Sequence, residues 1–147
     1  DTNDSSSVIV SDSVKPRQKP KIFLSEVIGA PGDGNITLHR NMQRVMRIAG
    51  VNVVSERPKS NFLVKGFVNV SPPYNGSNDI AITWLVTTKE GRELGKATQN
   101  NRVPAGSLNG RWGDVAYVVA QGGSIGIIDI VEQDFQLKSN KNGLTAP

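Results

Sequence analysis

Residues 27–50 read VIGAPGDGNITLHRNMQRVMRIAG: the end of an apolar strand, a glycine-rich turn and a helix, followed directly by a second apolar run, VNVV. No other stretch limits the fold as tightly. Leu38, Met42, Val45 and Ala49 recur at helical spacing, and Arg40, Arg44 and Arg47 fall on another face. Asn35 suits the N-cap and Gly50 the C′ position, so both helix ends are marked. Strand, helix and strand in this order predict a βαβ unit with parallel strands and a right-handed crossover.

Further strands are read from alternation. Residues 21–28 carry Ile22, Leu24 and Ile28 on one face and Phe23 and Val27 on the other, which suits an interior strand covered on both sides. Residues 61–70 bring Phe62, Val64, Val68 and Val70 together, with Gly66 between them where another backbone can approach. Residues 79–88 turn Ile80, Ile82, Trp84 and Val86 inward. Lys89-Glu90-Gly91-Arg92 then makes a hairpin turn into a more polar strand over residues 93–103, nearer an edge. A glycine-punctuated loop, residues 104–113, leads to a last helix over about residues 114–133 that holds Ala116, Ala120, Gly122, Gly123, Ser124 and Gly126. Glycine inside a helix costs roughly 1 kcal/mol against alanine, so this crowding predicts close approach to the sheet or to another helix, the sheet being the simpler partner. Gln121 and Asp129 interrupt the apolar run, and the helix is therefore not read as a membrane span.

The expected fold is α/β (α+β): a mixed sheet of about five strands with a βαβ start, hairpins and a C-terminal helix, two helices covering the sheet. Residues 1–20 are rich in Ser, Asp, Lys and Pro and read as a flexible tail, residues 21–135 as one domain, and residues 136–147 as a frayed end.

Of 147 residues none is cysteine, which excludes disulfides, thiolate metal sites and cysteine nucleophiles. The 17 Lys and Arg against 13 Asp and Glu give a net charge of +4 and a weak preference for anionic partners. Lys15, Arg17, Lys19 and Lys21 precede the domain, either as a solvated linker or facing an anionic membrane. The chain starts at Asp1 rather than methionine, so a missing secretory signal is no evidence for the cytoplasm.

Gly29, Gly32 and Gly34 occupy a strand-to-helix loop, where phosphates often bind, but their spacing matches neither the dinucleotide fingerprint nor the P-loop. Asp33 would also repel a phosphate. A structural turn is the first reading there, and an anion or nucleotide site the weaker one. Gly122-Gly123-Ser124-Ile125-Gly126 spells a nucleophile elbow, yet that motif needs a strand before its serine, and the only histidine, His39, comes too early in the chain. His39 alone cannot build a histidine metal site. Asp129 and Glu132, three apart, offer a carboxylate pair for an enzyme acting on an envelope glycan, although a solvated helix face explains them as well. No cofactor is expected, and no nucleic-acid signature is present. Trp112, Arg102 and Arg111 are the candidate partner-binding residues, although the glycine-flanked Trp112 reads first as a half-buried packing residue and second as an exposed anchor, and Arg40, Arg44 and Arg47 are the candidates for anionic-surface contact with lipid or glycan.

Over residues 22–132 the order of elements resembles a small α/β module of bacterial envelope proteins, the group of the TolB amino-terminal domain and the curli secretion lipoprotein CsgG. The resemblance is carried by the strand that ends near Gly32-Asp33, the helix LHRNMQRVMRIAG, the run VNVV, the strand NFLVKGFVNV and the hairpin AITWLVTTKEGRELG. The string VPAGSLNGRWGDVA is similar to alphaproteobacterial lipoproteins of unknown function. The resemblance implies export to the periplasm, a lipid anchor ahead of the tail, and non-enzymatic assembly by binding an envelope partner or a second copy.

The composition of residues 1–18 cannot offset the entropy of ordering them. Their deletion is expected to leave the thermal midpoint nearly unchanged. A fall of many degrees would mean that Val8-Ile9-Val10 adds a strand to the sheet.

Overall fold

The structure, a computed structural model, describes residues 19–144, with side chains to residue 138. The expectations for residues 1–18 lie outside it. In chain order the elements are β1 (Lys21–Ile28), α1 (Gly34–Ile48), β2 (Asn52–Val53), a 3-10 turn (Arg57–Lys59), β3 (Phe62–Val70), β4 (Ser77–Thr88), β5 (Glu93–Pro104) and α2 (Asp114–Leu144). The five strands form one mixed sheet in the order β2-β1-β3-β4-β5. β1 runs parallel to both β2 and β3, and β3, β4 and β5 run antiparallel in succession. This is the α/β architecture expected, with two helices over the sheet.

Both helices lie on the same face. Ile22, Leu24, Val27, Phe62, Val64, Val68, Ile80, Ile82, Trp84 and Val86 point into the core beneath them. α1 contributes Leu38, Met42, Val45 and Met46, and α2 contributes Ala116, Val119, Ala120, Ile127 and Val131. On the opposite face Phe23, Phe67, Thr83 and Leu85 remain half-buried, and Lys65 lies 5.3 Å over the Phe67 ring while pairing with Glu26 at 3.1 Å. Among the described residues no helix covers that face, which corrects the reading of β1 as covered on both sides.

β1 also departs from simple alternation. Leu24 pairs with Val64 and Glu26 with Lys65, so Ser25 is an extra residue in the ladder, its hydroxyl donating to the Val64 carbonyl at 3.2 Å. A bulge reverses the facing of the residues beyond it. Val27 therefore joins Ile22 and Leu24 in the core, and Ile28 is turned outward.

α1 begins two residues earlier than an N-cap at Asn35 would place it. Asp33 is its N-cap, and the Asn35 side chain accepts the Ala30 N–H at 2.9 Å instead. Its other end behaves as read: Gly50 has φ +89°, its N–H donates to the Arg47 carbonyl, and the Val51 N–H donates to Met46, a Schellman closure. Ala49, placed on the apolar stripe by spacing, is the exposed C-cap, and Met46 takes its place in the core.

α2 runs to Leu144 rather than stopping near Gln133. Gln136, Leu137 and Lys138 are good helix formers, and Asp134 pairs with Lys138 one turn on at 3.4 Å. The segment Asp114–Lys138 is long and apolar enough, by length and composition, to cross a bilayer. In this fold its inner face lies on β4 and β5.

The close approach of α2 is organised by Trp84, which is fully buried. Its ring lies across Gly66 of the neighbouring strand, where a Cβ would stand 2.7 Å from Cζ3. On the other side, a Cβ at Gly123 of α2 would collide with the indole nitrogen and stand 2.9 Å from Gln99 Oε1. Gly66 thus accommodates a side chain, not the backbone anticipated. The Trp84 Nε1–H donates to Gln99 Oε1 at 3.0 Å, and Gln99 Nε2 donates to the Val119 carbonyl at 3.1 Å. One glutamine therefore satisfies the buried indole and ties β5 to α2.

A second contact closes the glycine turn. Trp112, 2% exposed, donates through Nε1 to the carbonyls of Pro31 at 3.0 Å and Leu108 at 3.1 Å. Its backbone N–H donates to Asp33 Oδ1 at 2.9 Å, and the Asp33 N–H donates to the Gly110 carbonyl at 3.0 Å. Gly32 holds φ +58°, and a Cβ there would strike the Gly110 carbonyl.

Trp112→Ala is expected to cost about 3–5 kcal/mol, as for other buried aromatics. Gly123→Leu is expected to overpack the layer at Trp84 by about 1–3 kcal/mol or more. Urea unfolding of each variant measures both; an unchanged midpoint would contradict the packing described.

Candidate functional site

The sequence marked Trp112, Arg102 and Arg111 as partner-binding residues, and the structure separates them. Trp112 is inside, as its hydrogen bonds and burial require, so it offers no exposed anchor. Arg111 is exposed on the 104–113 loop. Arg102 lies on β5 and donates through Nε to Asp79 Oδ1 at 2.9 Å, in an ion pair that remains largely in water. Such a pair contributes little to stability but leaves both charges at the surface.

Arg102 is one wall of a largely apolar surface groove. Between α2 and the edge strand β5 runs a groove of about 500 Å³, lined by Val103, Val115, Val118, Val119 and Gly122, with Asp114 and Arg102 at its rim. Its width is set by the sequence. Gly122 carries no side chain, so the floor is bare backbone beside Gln99. Val118 is 63% exposed and Ile125, further along the helix, 73%. The outer side of α2 thus carries an apolar patch of Val115, Val118 and Ile125 among the exposed polar residues Asp114, Gln121 and Asp129. An exposed apolar patch rimmed by polar residues marks an interaction surface.

The groove borders a free edge. β5 is the last strand of the sheet, and among the described residues its outer side has no ladder partner. The opposite edge is different. There β2 pairs only with Lys21 and Ile22 of β1, the His39 Nε2–H donates to the Leu24 carbonyl at 2.9 Å, and the Val54 N–H donates to Ile22 at 2.9 Å. Together with the bulge at Ser25 these contacts obstruct pairing along β1. His39 therefore seals a strand edge.

The other motifs separate as well. In the Gly29–Gly34 turn the Asp33 carboxylate sits at the start of α1, accepting the Trp112 N–H and, at 3.4 Å, the Thr37 hydroxyl. The space an anion would need at that helix start is bounded by a carboxylate and the 104–113 loop. Ser124 lies within α2 and donates to the Gln121 carbonyl at 2.8 Å, so no elbow is formed. Asp129 accepts from Gln133 at 3.2 Å, whereas Glu132 lines a separate cavity of about 280 Å³ with Lys19, Ile22, Gly50 and Val131. The two carboxylates do not converge there. Arg40, Arg44 and Arg47 are all exposed on the outer face of α1.

Val115, Val118 and Ile125 were not among the residues that sequence alone marked, because the small residues between them dominate the pattern of this helix. Their signal was present, in apolar positions outside the single stripe that one packed face needs.

No family model matches the chain, and no curated protein matches it in sequence. Similar folds do occur among solved structures. The PelC dodecamer from Paraburkholderia phytofirmans in space group P6 superimposes with a TM-score of 0.51 at 12% identity, covering 71% of this chain and 84% of that one. A substituted form of the same PelC dodecamer in space group C2 gives 0.50 at 15% identity, covering 72% and 84%. A minor lipoprotein from Acinetobacter baumannii gives 0.38 at 14% identity, covering 83% and 94%. At such identities the PelC structures share this chain's fold, and fold alone does not carry activity.

Proposed function

We propose that this chain is a non-enzymatic assembly module of the bacterial cell envelope, acting in the periplasm, and that copies of it associate through the groove between α2 and β5. The observation that carries the reading is the apolar patch on the outer side of α2 lying directly beside an edge strand that is unpaired among the described residues. A second copy supplies the complement to both. Two β5 strands meeting antiparallel about a two-fold axis continue the sheet, and Val118 and Ile125 of each copy then cover those of the other. The obstructed β1 edge favours this arrangement over head-to-tail addition of β5 to β1. The rim carries both signs of charge, Arg102 with Asp79 and Asp114, as a self-complementary surface requires. The likeness in fold to PelC, solved as a dodecamer, supports self-association as the mode of action.

Light scattering coupled to size-exclusion chromatography tests this. The full chain is expected to elute as an oligomer, and Val118→Asp with Ile125→Asp as a monomer with an unchanged melting curve, because both side chains are exposed in the single copy. A monomeric wild type at high concentration, or a variant that still assembles, would reject the groove.

A further inference from the structure

The outer face of α1 combines charge and apolar surface in one stripe. At 3.6 residues per turn, Ile36, Arg40, Arg44, Arg47 and Ile48 fall within about 120° of the helix circumference. All five are exposed, Ile36 by 64% and Ile48 by 68%. The helix, GNITLHRNMQRVMRI, contains no acidic residue. Among the described residues no carboxylate lies within ion-pair distance of the three arginines. Glu26 shares a groove with Arg40, but its carboxylate is held by Lys65 at 3.1 Å.

We propose that this face of α1 lies on an anionic lipid surface. Three arginines in a row, with no counter-charge among the described residues, suit a plane of phosphates. Two isoleucines, roughly 18 Å apart along the axis, set the arginines between apolar ends. A soluble polyanion such as an acidic polysaccharide or a nucleic acid would use the arginines and leave both isoleucines in water. A bilayer uses all five, with the guanidinium groups at the head groups and the isoleucines at the acyl boundary. The placement is independent of the assembly groove. α1 packs on β1 and β2, and α2 on β4 and β5, so the stripe and the groove belong to opposite edges of the sheet and can be occupied together.

Flotation of the full chain with phosphatidylcholine vesicles, with and without phosphatidylglycerol, tests the proposal. Binding is expected only with phosphatidylglycerol, and it should weaken as salt rises. R40Q/R44Q/R47Q should bind roughly a hundredfold more weakly, and I36S/I48S several-fold more weakly, with neither altering the thermal midpoint. Three results would overturn it: no binding by the wild type, full binding by the arginine variant, or an isoleucine variant that binds as wild type. In the last case, competition by an acidic polysaccharide would identify the stripe as a soluble-polyanion site.

Discussion

The burial of Trp84 is the constraint on which the rest of the packing depends. An indole at the centre of a sheet has to find room on both sides and a partner for its N–H. Gly66 on β3 and Gly123 on α2 provide the room, and Gln99 on β5 provides the acceptor. Because Gln99 also donates to the Val119 carbonyl, the polar requirement of one side chain fixes the position of the whole last helix against the sheet edge. An unsatisfied indole N–H in that position would cost on the order of 1–3 kcal/mol, so the glutamine and the glycine are not independent choices.

Trp112 performs a related task at the other end of the molecule. It binds the loop before α2 to the turn before α1, and its backbone N–H takes up the Asp33 carboxylate. The two helices are thereby held in one layer from two loops that are far apart in sequence. With the loops committed to each other, the surfaces left over among the described residues are the outer stripe of α1, the outer patch of α2, the edge of β5 and the face of the sheet away from the helices.

The two sheet edges are unlike each other for local reasons. β1 is bulged, capped by His39 and paired with a two-residue strand, so an incoming strand meets interruptions. β5 is twelve residues long and polar in alternation, with Arg102 and Asp79 bridging its open face to β4. An edge of this length is commonly blunted or covered. The apolar side of α2 beside it is why we assign the cover to a second copy.

The sequence by itself determined the element types and the core. Alternation in residues 79–88, the spacing of Leu38, Met42 and Val45, and Gly50 after the first helix are local signals whose physics is complete within a few residues. The crowding of glycine in residues 122–126 likewise announced a close neighbour. Tertiary structure decided what depends on contacts between distant segments. The bulge at Ser25 turned Val27 inward because Val64 and Lys65 set the register. Trp112, in a glycine-flanked polar loop, went inside because Pro31, Asp33 and Leu108 offered partners up to 81 positions away. Which apolar residues of α2 would be left uncovered could be known only once the sheet had taken the others, since the small residues between them blur its division into one apolar and one polar face.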